Sequence, residues 1–166
     1  GTVQRTMTSA NGLQYATQLM ADRLQQEHYL DMLTEHQLDM AMRKGSIVIG
    51  RKKMDLTDLR REVLNTYYDD VVSPALKRSF SNSDFGRASK MYIGGGGAMF
   101  DQIIDCFLEE FGEILEVDVV PDPASFISQW YALHAEGLSG NHRGGAVGLD
   151  IGNANTVINL LGDKSL

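Results

Sequence analysis

The sequence is organised around the stretch Lys90-Met-Tyr-Ile-Gly94-Gly-Gly-Gly97-Ala-Met-Phe-Asp101-Gln-Ile-Ile-Asp-Cys-Phe-Leu108. Its short apolar run, Met91-Tyr92-Ile93, predicts a buried strand, and four glycines follow. Apolar residues at helical spacing then predict a helix; they are Met99, Ile103, Ile104, Phe107, Leu108 and Phe111. Glycine permits a sharp turn and a close approach of bare backbone. The N–H groups at the start of the helix suit an anion or the polar edge of a nucleotide. A purely structural role, close packing of helix against strand, is the alternative.

Composition limits the classes of function. The chain has 166 residues and a net charge of −7, which suits a single domain. Its acidic balance argues against direct nucleic-acid binding, since basic residues cluster only at Arg51-Lys52-Lys53 and Arg60-Arg61. The single cysteine, Cys106, excludes an intramolecular disulfide and favours a reducing, cytoplasmic location. No apolar run approaches the roughly 20 residues of a membrane span and no signal peptide is visible, so no membrane association is expected.

Hydrophobic periodicity predicts an α/β fold, with a mixed sheet of about five strands, helices on both faces and a small helical subdomain at roughly residues 25–75. Strands are predicted at residues 2–8, 46–53, 91–93 and 116–120, and as a pair over residues 146–161. Helices are predicted at residues 13–42 with a break between 27 and 34, and from Asp55 or Thr57 to Phe80 with Pro74 as a kink or break near the end. Two more are predicted after the glycines as far as Gly112 and at residues 121–137.

Polar and small residues predict the ends and the connections. Ser9 or Asn11 is the candidate cap of the first helix, and Gly45 is expected to end the helical pattern that follows. Residues 79–86 are rich in turn formers and predict a loop. Residues 139–145 form a run of small and polar residues that is typical of a flexible linker.

A second glycine motif, Asp150-Ile-Gly152-Asn-Ala-Asn-Thr156, lies near the C-terminus. An aspartate at the end of a buried strand can hold a metal ion through water or orient an attacking water. The turn after it offers backbone N–H groups and a threonine hydroxyl, which together can hold a phosphate. A plain hairpin is the alternative interpretation.

Together these motifs resemble the actin-like ATPase superfamily, and most closely its ParM/StbA plasmid-segregation proteins. The segment from Val147 to Thr156 resembles the family's phosphate loop and the segment from Met91 to Ala98 its adenosine loop. Residues 119–123, Val-Val-Pro-Asp-Pro, with the helix expected after them, resemble the family's C-terminal segment.

The order of the two loops is reversed relative to that family. Here Asp150 follows Gly94, whereas the family's phosphate loop comes first. Joining the C-terminus to the N-terminus would restore the order, and the joined stretch resembles the family's next strands and the start of its next helix. The chain is therefore interpreted as one actin-like half, the second and nucleotide-proximal domain, circularly permuted, with residues 139–145 as the new connection.

The resemblance implies a function and a set of site residues. Asp150 would orient the attacking water and hold Mg²⁺ through water, and Gly94, Gly95, Gly96 and Gly97 would hold the adenosine of ATP or ADP. Gly152, Asn153 and Thr156 form the expected phosphate loop. The parent function implied is an ATP-dependent filament for plasmid segregation, and its partners would be further copies or the missing first domain and a DNA adaptor protein. Since half of the phosphate clamp is missing, we expect weak nucleotide binding and negligible hydrolysis.

Three alternatives remain open at this point. The first is a catalytically silent scaffold of the same fold, and the second is a fragment of a sugar-kinase-branch enzyme. The third is a Rossmann dinucleotide-binding domain, although this sequence lacks the glycine signature of that fold. The pairs Glu27-His28 and Glu35-His36 are expected to be solvated, because helical metal pairs need a spacing of three or four. Cys106 is expected to be a core thiol rather than a nucleophile.

Overall fold

The computed structural model describes residues 3–9, 11–120 and 145–161. Within these ranges the strands are β1 (Val3–Ser9), β2 (Ser46–Ile49), β3 (Lys52–Asp55), β4 (Ala88–Gly94), β5 (Glu116–Val119), β6 (Gly145–Ile151) and β7 (Thr156–Leu161). The α-helices are α1 (Leu13–His28), α2 (Glu35–Lys44), α3 (Thr57–Tyr67), α4 (Ser73–Ser79), α5 (Asn82–Arg87) and α6 (Asp101–Phe111). The helix predicted at residues 121–137 and the predicted linker before Gly145 lie outside the described residues.

The main sheet is five-stranded and mixed, in the order β1-β7-β6-β4-β5. Strands β1, β7 and β6 are antiparallel neighbours, whereas β6, β4 and β5 run parallel. This confirms the prediction of an α/β fold with a five-stranded mixed sheet flanked by helices. Val3 of β1 pairs with Leu161 of β7, so the first and last described residues of the chain lie side by side.

One face of the sheet carries the core. Met91 pairs with Val147 and Ile93 with Leu149, so these four side chains lie on the same face, and all four are fully buried. Helix α1 packs its own buried stripe into the same core, as do α3 and α6; the α1 residues of this stripe are Ala16, Met20 and Leu24.

The break predicted between residues 27 and 34 is confirmed. Helix α1 ends at His28 and α2 begins after Thr34, whose hydroxyl accepts a hydrogen bond from the Gln37 N–H while the Gln37 side chain accepts one from the Thr34 N–H. Gly45 ends α2 in the left-handed conformation, at φ +67°, as expected from its position.

The strand predicted at residues 46–53 is wrong, because the chain turns back within it. Gly50, at φ +62°, allows a tight turn that separates β2 from β3 and pairs Val48 with Lys53. The region expected to be a helical subdomain therefore also contains a two-stranded sheet.

The single helix predicted up to Phe80 is interrupted. A π-helical turn, Tyr68–Val72, separates α3 from α4, directly before Pro74, which has no N–H to donate to a regular helical turn. The N-cap of α3 is Leu56, so neither Asp55 nor Thr57 has the predicted capping position. Asp55 Oδ1 accepts hydrogen bonds from the Thr57 N–H at 2.9 Å and from its hydroxyl at 2.6 Å.

The loop predicted at residues 79–86 is also wrong. Ser81 and Asp84 form a reciprocal capping pair that starts the short helix α5, so the turn-forming serines act here as caps. After the glycines, a 3₁₀ turn, Gly96–Met99, precedes α6. Met99 lies in this turn rather than on α6 and is exposed by 73%. The buried stripe of α6 is Ile103, Phe107 and Phe111, and Leu108 lies outside it, exposed by 46%.

Candidate functional site

The two glycine motifs lie together at one edge of the main sheet. Strands β4 and β6 are parallel neighbours, and Gly94 at the end of β4 pairs with Asp150 near the end of β6. The loops that follow the two strands therefore leave the sheet side by side, although more than fifty residues separate them in the sequence. The resemblance to the actin-like family implies this juxtaposition, because one nucleotide would have to contact both loops.

The four glycines have different environments. A Cβ at Gly95 would lie well inside 3.0 Å of Asp150 Oδ1 and of the Ile151 carbonyl oxygen, and a Cβ at Gly97 would overlap the Ile151 side chain in the same way. A Cβ at Gly96 would meet only Leu13 Cδ1, at 3.5 Å. Gly95 and Gly97 are therefore explained by close packing on β6, whereas a side chain at position 96 would make only an ordinary van der Waals contact with Leu13.

The start of α1 is fixed against the turn between β6 and β7. The Leu13 N–H donates to the Gly152 carbonyl at 2.9 Å, and the Gln14 N–H donates to the Asn153 carbonyl at 2.8 Å. A Cβ at Gly12 would lie well inside 3.0 Å of both carbonyl oxygens. The predicted caps Ser9 and Asn11 are therefore wrong: the helix begins at Gly12, and its first N–H groups are bound by backbone from a distant part of the chain.

The turn itself exposes a row of backbone donors. It is closed by a hydrogen bond of 2.9 Å from the Gly152 N–H to the Asn155 carbonyl, and Asn153, Ala154 and Asn155 are exposed. In the part of the chain that the structure describes, the N–H groups of these three residues donate to no acceptor. Successive free N–H groups in a turn form a concave site that favours an anion.

Thr156 does not fit the role that the resemblance implies. Its side chain is buried, with 2% exposed, and its hydroxyl donates to the Asn11 carbonyl at 3.1 Å. It lies on the core face of the sheet, because it pairs with the buried Ile151. The Thr156 hydroxyl therefore holds the segment before α1 and is not presented to a phosphate at the surface.

Asp150 is a half-buried carboxylate. Burial raises its pKa above the ordinary aspartate value, because water that would solvate the charged form is displaced. Among the described residues, no group of three or more His, Cys, Asp or Glu side chains could bind a metal ion. A cation held by Asp150 would therefore take most of its ligands from water or a bound molecule.

A cleft of about 820 Å³ adjoins both loops. Leu13, Gly96 and Asn153 line it, which makes it continuous with the glycine turn and with the turn after β6. Its other residues come from α1, α2 and α3 on one side and from the 3₁₀ turn and α6 on the other; the charged ones are Asp39, Arg43, Arg60, Arg61, Asp101 and Asp105. Asp150 and Thr156 do not line it.

The three arginines in the cleft have additional contacts, and that of Arg61 is an ion pair of 3.4 Å with Asp58. Arg60 donates through Nη1 to the carbonyls of Met42 and Arg43, at 3.3 and 3.0 Å, and thereby closes the C-terminal end of α2. The Arg43 guanidinium forms an ion pair of 3.0 Å with Asp39. The cleft therefore offers both donors and acceptors to a polar ligand, and one of its walls is stabilised by Arg60.

Apart from Gly96 and Asn153, the residues that line this cleft were not predicted from the sequence, and neither was Gly12. Gly12 precedes the first helix directly, where a glycine is a recognised N-cap residue, so its position was a usable signal. The cleft had no such signal, because its lining residues belong to helices that are amphipathic in the ordinary way and meet only in the fold.

Cys106 is half-buried at the margin of the core rather than a fully buried core thiol, whereas the pairs Glu27-His28 and Glu35-His36 are solvated as expected. Burial raises the pKa of the Cys106 thiol, and the nearby Asp69 carboxylate raises it further, which is unfavourable for a nucleophile. The Cys106 thiol lies 3.2 Å from Asn65 Oδ1. His28 and His36 are exposed. No helix among the described residues is long and apolar enough to cross a bilayer.

Comparisons of this chain with protein-family models, with curated proteins and with solved structures give no match. The resemblance to the actin-like ATPases therefore stays a prediction.

Proposed function

We propose that this chain is the nucleotide-binding half of an actin-like ATPase of the plasmid-segregation type, circularly permuted, which binds ATP or ADP weakly and hydrolyses little alone. The observation that carries the proposal is the shared edge of β4 and β6, where Gly94 pairs with Asp150 and both following loops reach one cleft. A phosphate-binding turn and an adenosine-binding loop must lie in this relation if one nucleotide is to contact both.

The strand order supports the proposed permutation. Strands β6, β7 and β1 are successive antiparallel neighbours, and β1 leads into α1. Joining the chain ends would make these strands consecutive, since Leu161 already pairs with Val3. Only residues 162–166, 1 and 2 would have to connect them, which is longer than the roughly two to five residues usual in a hairpin and therefore ample to join neighbouring strands.

The positions of the free N–H groups and of the cleft suggest how a nucleotide would lie in the site. The N–H groups of Asn153, Ala154 and Asn155 are suited to phosphate oxygens, and the polar cleft beyond Gly96 is suited to the ribose and the base. A bound Mg²⁺ would neutralise phosphate charge. It commonly keeps several waters and uses one or two carboxylates besides the phosphates, a donor set that Asp150 fits.

Three features favour weak binding and little hydrolysis. The first N–H groups of α1 already donate to Gly152 and Asn153, so they are not available to an anion. The Thr156 hydroxyl is likewise bound by Asn11. Phosphoryl transfer also needs charge neutralisation from several sides, and the described residues supply one side.

The same observations favour a second candidate, a silent scaffold of this fold that binds no nucleotide and acts through partner contacts.

Calorimetry with ATP and Mg²⁺, together with a phosphate-release assay, tests the proposal. We expect weak heats that are reduced by Asn153→Asp, which adds a negative charge at the free N–H groups, and we expect no measurable turnover. Asn82→Asp is the matched control, because it adds the same charge at an exposed position on α5. Nanomolar affinity, or turnover abolished by Asp150→Ala, would contradict the proposed half-site, and no binding at all would favour the scaffold.

A further inference from the structure

Positive charge is concentrated around the β2–β3 hairpin. Residues 43–61 contain seven of the 15 lysines and arginines but only two of the 22 acidic residues. This segment therefore carries a net charge of +5 in a chain of net charge −7, which leaves −12 on the rest. Such a separation of charge indicates a surface that attracts an anionic partner.

The basic side chains at the tip of the hairpin have no ion-pair partners among the described residues. Arg51, Lys52 and Lys53 are exposed and in sequence at the turn. Lys53 shares the outer face of the hairpin with Asp55, but hydrogen bonds from Thr57 already engage that carboxylate. The three cations are therefore available to a partner.

The hairpin also has free strand edges. Strands β2 and β3 form a separate sheet in which each pairs with the other. No further backbone hydrogen bond involves β2 or β3, except at their ends, in the part of the chain described here. The outer face presents Val48, exposed by 56%, directly opposite Lys53. A free edge of this kind can add a strand from another polypeptide.

From these observations we propose that the β2–β3 hairpin binds an extended acidic segment of a partner protein by strand addition. Backbone hydrogen bonds to the free edge would hold the segment, its carboxylates would pair with Arg51, Lys52 and Lys53, and an aliphatic residue would cover Val48. Three cations of the segment, Arg43, Arg60 and Arg61, line the cleft beside the glycine turn, but the three at the hairpin tip do not, so the inference does not depend on the proposed function.

The charge distribution favours a peptide over nucleic acid. A duplex would extend beyond the hairpin toward the remaining net charge of −12, whereas a short peptide would remain within about one Debye length, ~8–10 Å, of the basic tip. An exposed valine and a free strand edge also match a polypeptide better than a phosphate backbone.

A second copy of this chain fits less well. Its own acidic edge strand, β5, has the suitable alternation Glu116-Val-Asp-Val119, but Lys90 already pairs with Asp118 at 2.8 Å and with Glu116 at 3.7 Å. The acidic side chains on α6 cannot join a strand edge, because their backbone is helical.

Fluorescence anisotropy with a labelled peptide of alternating glutamate and valine tests the proposal. We expect saturable binding that weakens at least tenfold in the variant Lys52→Glu/Lys53→Glu. The control variant Arg78→Glu/Arg87→Glu changes the same charge at two exposed positions elsewhere and should bind as the unmodified chain does. Circular dichroism of both variants verifies that each is folded.

Two further probes separate strand addition from simple charge attraction. A peptide with the same charge but alternate N-methylated amides cannot complete the ladder and should bind at least tenfold more weakly. A single-stranded oligonucleotide of equal charge should also bind at least tenfold more weakly than the peptide. Equal binding of either probe, or no effect of the hairpin variant, would overturn the proposal. Salt-sensitive self-association in sedimentation, abolished by the same variant without peptide, would assign the hairpin to a second copy instead.

Discussion

Gly95 is packed so closely on Asp150 that position 95 has no room for a Cβ atom, which would lie well inside 3.0 Å of the Asp150 carboxylate. Its backbone also adopts φ +79°, which side-chain-bearing residues rarely tolerate. The contact joins the ends of two parallel strands, β4 and β6, and it fixes the glycine turn beside the Asp150 carboxylate. The stability and the chemistry of the site therefore depend on the same pair.

Gly95→Ala tests the structural side of this relationship. The added methyl group would overlap Asp150 and the Ile151 backbone, and the positive φ adds strain, so we expect the free energy of unfolding to fall by about 2 kcal/mol or more. Urea denaturation measures the change. Gly86→Ala is the control, since no atom lies within 4 Å of its Cβ position, and a loss as small as in that variant would contradict the observed packing.

Gly12→Ala tests the contact between α1 and the turn after β6. A methyl group there would meet two backbone carbonyls that already accept hydrogen bonds from Leu13 and Gln14, so the strain is not easily relieved. We expect a loss of about 1–3 kcal/mol in the same assay. Gly96→Ala, whose new atom would meet Leu13 at 3.5 Å, should cost less than half as much. Equal losses in the two variants would argue against this contact.

Asp150→Asn should change how stability depends on pH. Because burial raises the pKa of Asp150 in the folded state, the folded chain binds more protons than the unfolded chain between the ordinary and the raised pKa. This residue's contribution to stability therefore declines as pH rises through that window and stays lowered above it. The Asn variant lacks this loss, so its stability relative to the original chain should increase from about pH 4 to pH 7. A difference that is constant over this range, or of opposite sign, would show that the carboxylate is not buried as described.

Cys106 should react slowly with a thiol reagent. Burial, and then the charge of Asp69, raise the thiol pKa, so less thiolate is present at a given pH than in an unfolded chain. At pH 8 we expect the folded protein to react at least about tenfold more slowly than the same protein in urea. Comparable rates would mean that this cysteine is exposed and activated, contrary to its half-buried position against the core.

The sequence predicted those parts of the fold that depend on local pattern and on a single strong motif. The strand before Gly94, the break after His28, the end of α2 at Gly45 and the strand pair around residue 153 all follow from periodicity and turn chemistry. The adjacency of Asp150 and the glycine turn was also predicted, on the basis of the family resemblance, and the pairing of Gly94 with Asp150 bears it out.

The predictions that proved wrong concern residues whose conformation depends on tertiary contacts or on a choice between two local structures. Gly50 was compatible with a continuous strand or with a turn, and only the packing of Ile47 and Met54 on the core favours the hairpin. Ser81 could act as a turn residue or as a cap, and its pairing with Asp84 made it a cap. The engagement of the Thr156 hydroxyl by Asn11 depends on a contact across 145 positions, which no local pattern could predict.

Amide NMR of the isotopically labelled chain during titration with ATP and Mg²⁺ tests the central claim most directly. The account predicts saturable shifts at Gly96 and at Asn153, Ala154 and Asn155, where the free N–H groups lie. It also predicts that Asn153→Asp weakens the apparent affinity at least tenfold while Asn82→Asp does not. Absence of shifts at these amides, or shifts confined to residues away from this edge of the sheet, would contradict it.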